Sequence, residues 1–144
     1  MILGMDHTGF IVKDIDKSVA FYEDVIGLEV VRNIEREGDA PSQLLGYDDM
    51  HYKAALLNMG GGHKLELIQY MNPEPTDRPT EERNVLGASH LAFMVDDMQA
   101  TFERILSGGG QKLNAPVEVA PSRVCCYLQD PDGNWIELIE DPNQ

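Results

Sequence analysis

The hexapeptides HKLELI, residues 63–68, and NWIELI, residues 134–139, end in the same tripeptide and set a glutamate among aliphatic side chains. Both follow glycines and read as β-strands, segments in which a carboxylate is a poor guest. Their recurrence is part of a longer repeat. The stretch LLNMGGGHKLELI (56–68) aligns with YLQDPDGNWIELI (127–139) so that Leu57 meets Leu128, Gly62 meets Gly133 and Glu66 meets Glu137, 71 residues apart. Upstream, DHTGFIVKDI (6–15) aligns with SHLAFMVDDM (89–98), with His7 on His90, Phe10 on Phe93, Val12 on Val95 and Asp14 on Asp97, 83 residues apart. The polar stretch EGDAPSQLLGYDDM (37–50) absorbs the difference in spacing. Internal repetition at this scale means two copies of one supersecondary unit.

Each copy reads strand, helix, then three strands. In the first, these span 5–12, 15–26, 28–36, 52–59 and 64–70. In the second, they span 88–95, 97–107, 111–118, 123–129 and 134–140. Asp14 and Asp97 are N-cap residues. Ile15, Val19, Tyr22 and Ile26 make one helical stripe, and Met98, Phe102 and Ile105 the other. Gly27 and the run Gly108–Gly110 end the helices, and DPDG (130–133) has the residues of a type I turn. The expected fold class is therefore α+β, two tandem βαβββ modules, at 1–70 and 88–144. They are joined by the Pro-rich, charged linker 71–87 into one domain over 1–144. Neither half is large enough for a good core alone, so the modules are expected to pack together or to pair with another copy, as a homodimer.

Composition sets limits. Charged residues make up 25% and hydrophobic residues 42% of the 144, an ordinary globular mix, and the formal net charge is −14. Such an acidic chain is unsuited to nucleic acid or anionic membrane, and an anionic ligand would need a few local Lys or Arg side chains. No apolar run of transmembrane length and no signal-peptide pattern is present, and the reading is cytoplasmic. Cys125 and Cys126 are adjacent; on a strand they point to opposite faces, which disfavours a bridge and fits a reducing compartment.

Strand alternation places His7 with Gly9 and Ile11, and His90 with Ala92 and Met94, so a small residue lies beside each imidazole. Glu137 shares its face with Trp135 and Ile139, while Ile136 and Leu138 take the other, so its surroundings are apolar. Glu66 shares its face with Lys64, which makes it the more exposed of the two in this reading. A lone strand histidine is usually structural, and a lone strand glutamate usually faces water. The joint recurrence of both types at matching positions points instead to a shared divalent cation held by His7, Glu66, His90 and Glu137, a set that suits Zn, Ni, Co, Mn or Fe(II). His51 and His63 have no counterparts and read as surface residues in loops.

With these residues in view, the chain resembles the vicinal oxygen chelate superfamily, which includes glyoxalase I, methylmalonyl-CoA epimerase, extradiol dioxygenases and bleomycin or fosfomycin resistance proteins. The resemblance rests on DHTGFIVKDIDKSVAFYEDVIGLEVV, SHLAFMVDDM and, most specifically, YLQDPDGNWIELIE. It implies paired βαβββ modules whose curved sheets enclose a cavity with one divalent metal ion, and it carries the ligand roles onto the same four residues. The His/Glu/His/Glu set is similar to that of glyoxalase I. The implied activity is metal-assisted proton transfer, lyase or isomerase, on a small α-hydroxy or oxo carbonyl or thioester substrate bound through neighbouring oxygens. Glu137 is the expected base, with Glu66 the alternative for that role; Trp135 and Arg123 are the expected substrate-binding residues. The alternatives are an epimerase of CoA thioesters, an Fe(II) extradiol dioxygenase and a non-catalytic binding or resistance module. The basic cluster with which glyoxalases hold glutathione is not evident, since the other Lys and Arg residues read as helix-surface or loop charges.

Overall fold

The computed structural model describes residues 1–143, which form two compact units divided between Asp77 and Arg78. The first unit begins with β1 (His7–Ile11) and α1 (Ile15–Ala20), which continues as a π-helical turn, Phe21–Ile26. It then adds β2 (Glu29–Glu37), α2 (Asp39–Leu45), β3 (His51–Asn58) and β4 (Lys64–Asn72). The sheet order is β1-β4-β3-β2, with β1 parallel to β4 and the other pairs antiparallel. The second unit contains β5 (Leu91–Met94), α3 (Met98–Ser107), β6 (Gln111–Lys112), β7 (Val117–Ala120), β8 (Arg123–Gln129) and β9 (Trp135–Glu140). Its order is β5-β9-β8-β6, with β5 parallel to β9 and β7 also pairing with β8. A mixed α+β fold of two βαβββ-type units is thus observed.

The same residues start each helix. The Asp14 carboxylate accepts from the Lys17 amide at 3.2 Å, and that of Asp97 from the Ala100 amide at 2.9 Å. A side chain from the last strand of each sheet takes another free amide of the first turn. The Gln69 carbonyl oxygen accepts from Ile15 N at 2.9 Å, and the Glu140 carboxylate from Met98 N at 2.6 Å. These bonds satisfy donors that a helix N-terminus leaves open and tie each helix to its sheet. Beneath them lie the cores, with Val12, Tyr22, Leu57, Leu65 and Leu67 in one unit and Ile105, Leu128, Ile136 and Leu138 in the other, all essentially inaccessible.

Three local features depart from expectation. Residues 39–45, read as part of a polar insertion, form α2. Gly38 and Gly46 bracket it at φ 92° and 75°, Pro41 occupies its first turn and is buried, and the Ser42 hydroxyl accepts from Met50 N at 3.0 Å. So short a helix offers too few apolar positions to make a stripe in the sequence. The expected strand 111–118 is two strands, because Pro116 has no amide to give. The Asn114 side-chain oxygen accepts from Tyr127 N at 3.3 Å in the gap, standing in for a ladder bond. Third, β2 carries a bulge between Val30 and Arg32, so that Val30 lies opposite Leu57 while Arg32, one ladder step on, lies opposite Leu56.

The turn 130–134 is built on a buried carboxylate. Asp130 accepts from the amides of Asp132 at 3.0 Å and Asn134 at 2.8 Å, and from the Asn134 side-chain amide at 2.9 Å. It is fully buried, so its removal strands several donors, each at a cost of about 1–3 kcal/mol. We expect Asp130→Ala to lower stability by about 3 kcal/mol or more in urea denaturation, with Asp130→Asn retaining part of that loss. Cys125 and Cys126 are both buried and unbridged, and burial, reinforced by the neighbouring Cys125, pushes the Cys126 thiol up to about 11. Alkylation at pH 8 is expected to reach Cys126 only on unfolding; rapid labelling of the native protein at that position would contradict this burial.

Candidate functional site

In the first unit, parallel pairing of β1 with β4 sets Gly9 opposite Glu66 and His7 opposite Lys64. The His7 Nε2 lies 3.1 Å from Glu66 Oε2. Its Nδ1 lies 2.9 Å from Asp6 Oδ1, and the other oxygen of Asp6 accepts from Lys64 Nζ at 3.0 Å. These bonds hold the Asp6 carboxyl below its ordinary value, His7 contributing first and Lys64 next. A Cβ placed at Gly9 would lie 3.5 Å from Ile68 and 3.9 Å from the Glu66 carboxylate, ordinary contact distances.

The second unit repeats the arrangement. Ala92 lies opposite Glu137, and His90 Nε2 lies 3.1 Å from Glu137 Oε2. The two glutamates are equally sheltered, each side chain 17% exposed, and each histidine is about half exposed. The greater exposure expected of Glu66 is not seen, because Lys64 reaches Asp6 and leaves the carboxylate alone. Among the described residues, neither unit by itself gathers three or more His, Cys, Asp or Glu side chains into one cluster. Each sets one imidazole beside one carboxylate.

The chemistry of those donors fits a cation. His7 meets a carboxylate oxygen at each ring nitrogen, Asp6 at Nδ1 and Glu66 at Nε2. An outer carboxylate that orients the imidazole is the usual companion of a metal-binding histidine. One imidazole and one carboxylate per unit make a mixed nitrogen and oxygen donor set of the type that zinc, nickel, cobalt, manganese and iron(II) accept.

Around Glu137, beside the expected Trp135, the structure adds Tyr127 and Arg83, which pattern reading passed over. Tyr127 stands directly across from Glu137 in the β8/β9 ladder, its hydroxyl 3.4 Å from His90 Nε2 and its ring edge-on to the imidazole at 5.2 Å. Burial first, then the Glu137 charge, raises the Tyr127 hydroxyl above its ordinary value. Trp135 is 5% exposed, and its indole N–H is buried without a partner among the described residues. The Arg83 guanidinium lies over both aromatic rings, 5.0 Å from the Trp135 centroid and 5.8 Å from that of Tyr127. Tyr127 was within reach of sequence reasoning, since the turn at 130–133 sets the hairpin register. Arg83 was not, because it lies in a segment with no periodicity.

Arg123, the expected substrate cation, is on the same face of β8 as Tyr127, but its guanidinium bonds Asp141 at 3.2 Å. Arg32 and Arg36, read as loop or surface charges, are on β2 opposite Leu56 and Tyr52, on the Glu66 face of the first sheet. His51 is not in a loop: it opens β3 and pairs with Glu35 at 2.9 Å. His63 stays exposed in the glycine turn before β4.

Comparison with known proteins places the chain in a family. A lactoylglutathione lyase of Haemophilus influenzae is 32% identical over 139 residues, spanning 93% of this chain and 90% of the relative. A 2-epi-5-epi-valiolone epimerase of Actinomyces is 28% identical over 148 residues, spanning 97% of this chain and 80% of that protein. The crystal structure of a glyoxalase family protein from Bacillus cereus superposes with a TM-score of 0.88 at 25% identity, covering 97% of this chain and 95% of that one. The sequence model of the Glyoxalase/Bleomycin resistance protein/Dioxygenase superfamily matches residues 4–138, and the chain belongs to that superfamily.

Proposed function

We propose that the protein is a glyoxalase-like lyase or isomerase that moves a proton on a carbon beside a carbonyl, with His7, Glu66, His90 and Glu137 as donors to one divalent metal ion. The observation that carries this reading is the matched separation in the two units, an imidazole nitrogen 3.1 Å from a sheltered carboxylate oxygen in each. The likeness to lactoylglutathione lyases over nearly the whole chain supports the same reaction class. A divalent ion bound by these donors supplies Lewis acidity toward two neighbouring substrate oxygens.

Glu137 is the base. Its carboxylate accepts the proton, and the buried Trp135 beside it, with Tyr127 across the ladder, keeps water from competing. Glu66, equally sheltered, is the second carboxylate, and Asp6 holds the His7 ring in orientation. A second reading, epimerisation at the same kind of carbon, is favoured by the Actinomyces relative. It predicts deuterium uptake from heavy water at the substrate α-carbon without net conversion.

Two measurements test the proposal. Protein purified without chelators or a metal-affinity tag should contain a transition metal by elemental analysis, and His7→Ala or His90→Ala should lose most of it. A chain that stays metal-free and cannot be loaded would sink the metal reading. Glu137→Gln should keep its fold and lose roughly 10²–10⁴-fold of the parent's proton-transfer turnover, read as exchange of a substrate α-proton with heavy water. Full turnover in that variant would remove Glu137 as the base.

A further inference from the structure

The acidic chain holds one cation in an unusual position. Arg83 lies over two aromatic faces at once, and among the described residues no carboxylate pairs with it. A guanidinium over an aromatic face is held by the ring quadrupole and by its weak hydration, while its N–H edges stay available to other partners. Its neighbour Glu81 fixes the same segment, accepting from the Gln129 side-chain amide at 2.8 Å, and that amide also reaches the Gly133 carbonyl at 3.0 Å. Gln129 and Tyr127 alternate along one face of β8, so residues 81–83 are tied at two points to the strand beside Glu137.

Arg123, on the same face of β8, is committed to Asp141. Arg83 lies beside Tyr127, which contacts His90, and beside Trp135, on the face of Glu137. We infer that Arg83 is the seat for a substrate carboxylate, and that the substrate class is a small monoanionic hydroxy or oxo acid. The planar guanidinium meets a carboxylate in a two-bond fork. A single arginine supplies one such fork, which suits one acid group. Seated there, the acid end is held on Tyr127 and Trp135 while the adjoining carbon and its oxygen extend toward His90 and Glu137.

This deepens the proposed function, because it takes His90 and Glu137 as the reacting end. Its test reads a separate signal. Trp135 is the single tryptophan of the chain and lies directly beneath Arg83, so intrinsic fluorescence reports occupancy of the seat. Lactate and its uncharged amide, lactamide, are the probes, titrated into the full-length protein with elemental analysis of the same samples. Lactate is expected to shift the Trp135 emission saturably and lactamide to leave it unchanged. Arg83→Met should weaken lactate binding roughly ten- to a hundredfold, the loss expected for a charge-assisted pair. Arg83→Lys, which keeps the charge and loses the fork, should fall between, and Arg104→Met on the exposed face of α3 should match the parent.

The idea fails if lactate leaves the parent protein's emission unchanged, if lactamide binds as well as lactate, or if Arg83→Met binds lactate like the parent. Its failure and that of the metal reading are separable. Loss of charge discrimination with normal metal content rejects the seat alone, and a metal-free protein that still discriminates rejects the metal reading alone.

Discussion

Each unit depends on one pairing: its first strand lies parallel to its last, joined through a helix and the antiparallel strands between them. That pairing, Gly9 against Glu66 and Ala92 against Glu137, brings together residues far apart in the chain. The ladder continues past the strand ends in both cases, with Val12 N donating to the Ile68 carbonyl and Val95 N to that of Ile139, each at 2.9 Å. The helix that makes the crossover is held at its start by Gln69 or Glu140, from the strand to which it returns. Strand order, helix anchoring and the His–Glu pair are therefore consequences of one register.

Electrostatics then separates the two units. Around Glu66 the charges are mutually engaged, as His7, Asp6 and Lys64 form a chain of contacts. Around Glu137 the neighbours are aromatic, and the one nearby guanidinium is held by ring faces. Two copies of the same backbone thus offer a polar, self-satisfied flank in one case and an apolar flank with a directed cation in the other. Burial without full satisfaction is concentrated in the second unit, where the Trp135 indole N–H has no partner among the described residues.

The fold was largely legible because its signal is repetition. Alternation located β1, β4, β5, β8 and β9, and Asp14, Asp97, Gly27 and Gly108 marked the helix ends. The His and Glu residues were legible for the same reason, since a coincidence of type at matching positions is visible without coordinates. What escaped was decided by geometry with no period. A seven-residue helix between two glycines, a proline-broken strand bridged by Asn114, and an arginine from an irregular segment are each set by tertiary contacts. Lys64 misled because side-chain reach mattered more than the face it shares; its long stem turns to Asp6 and leaves Glu66 sheltered.

The bulge at Val31 bears on how this chain tolerates changes in length. A strand in a two-faced sheet normally cannot lose a residue, since every side chain beyond the gap would change sides. In β2 the surplus residue has already been placed opposite nothing, so Val31 is the one position whose removal would leave Val30 against Leu57 and Arg32 against Leu56. Shortening the strand elsewhere would carry the side chains beyond the gap to the opposite face or force the bulge to migrate. The edge of the first sheet thus contains a spare link, and indels compatible with this fold should concentrate there.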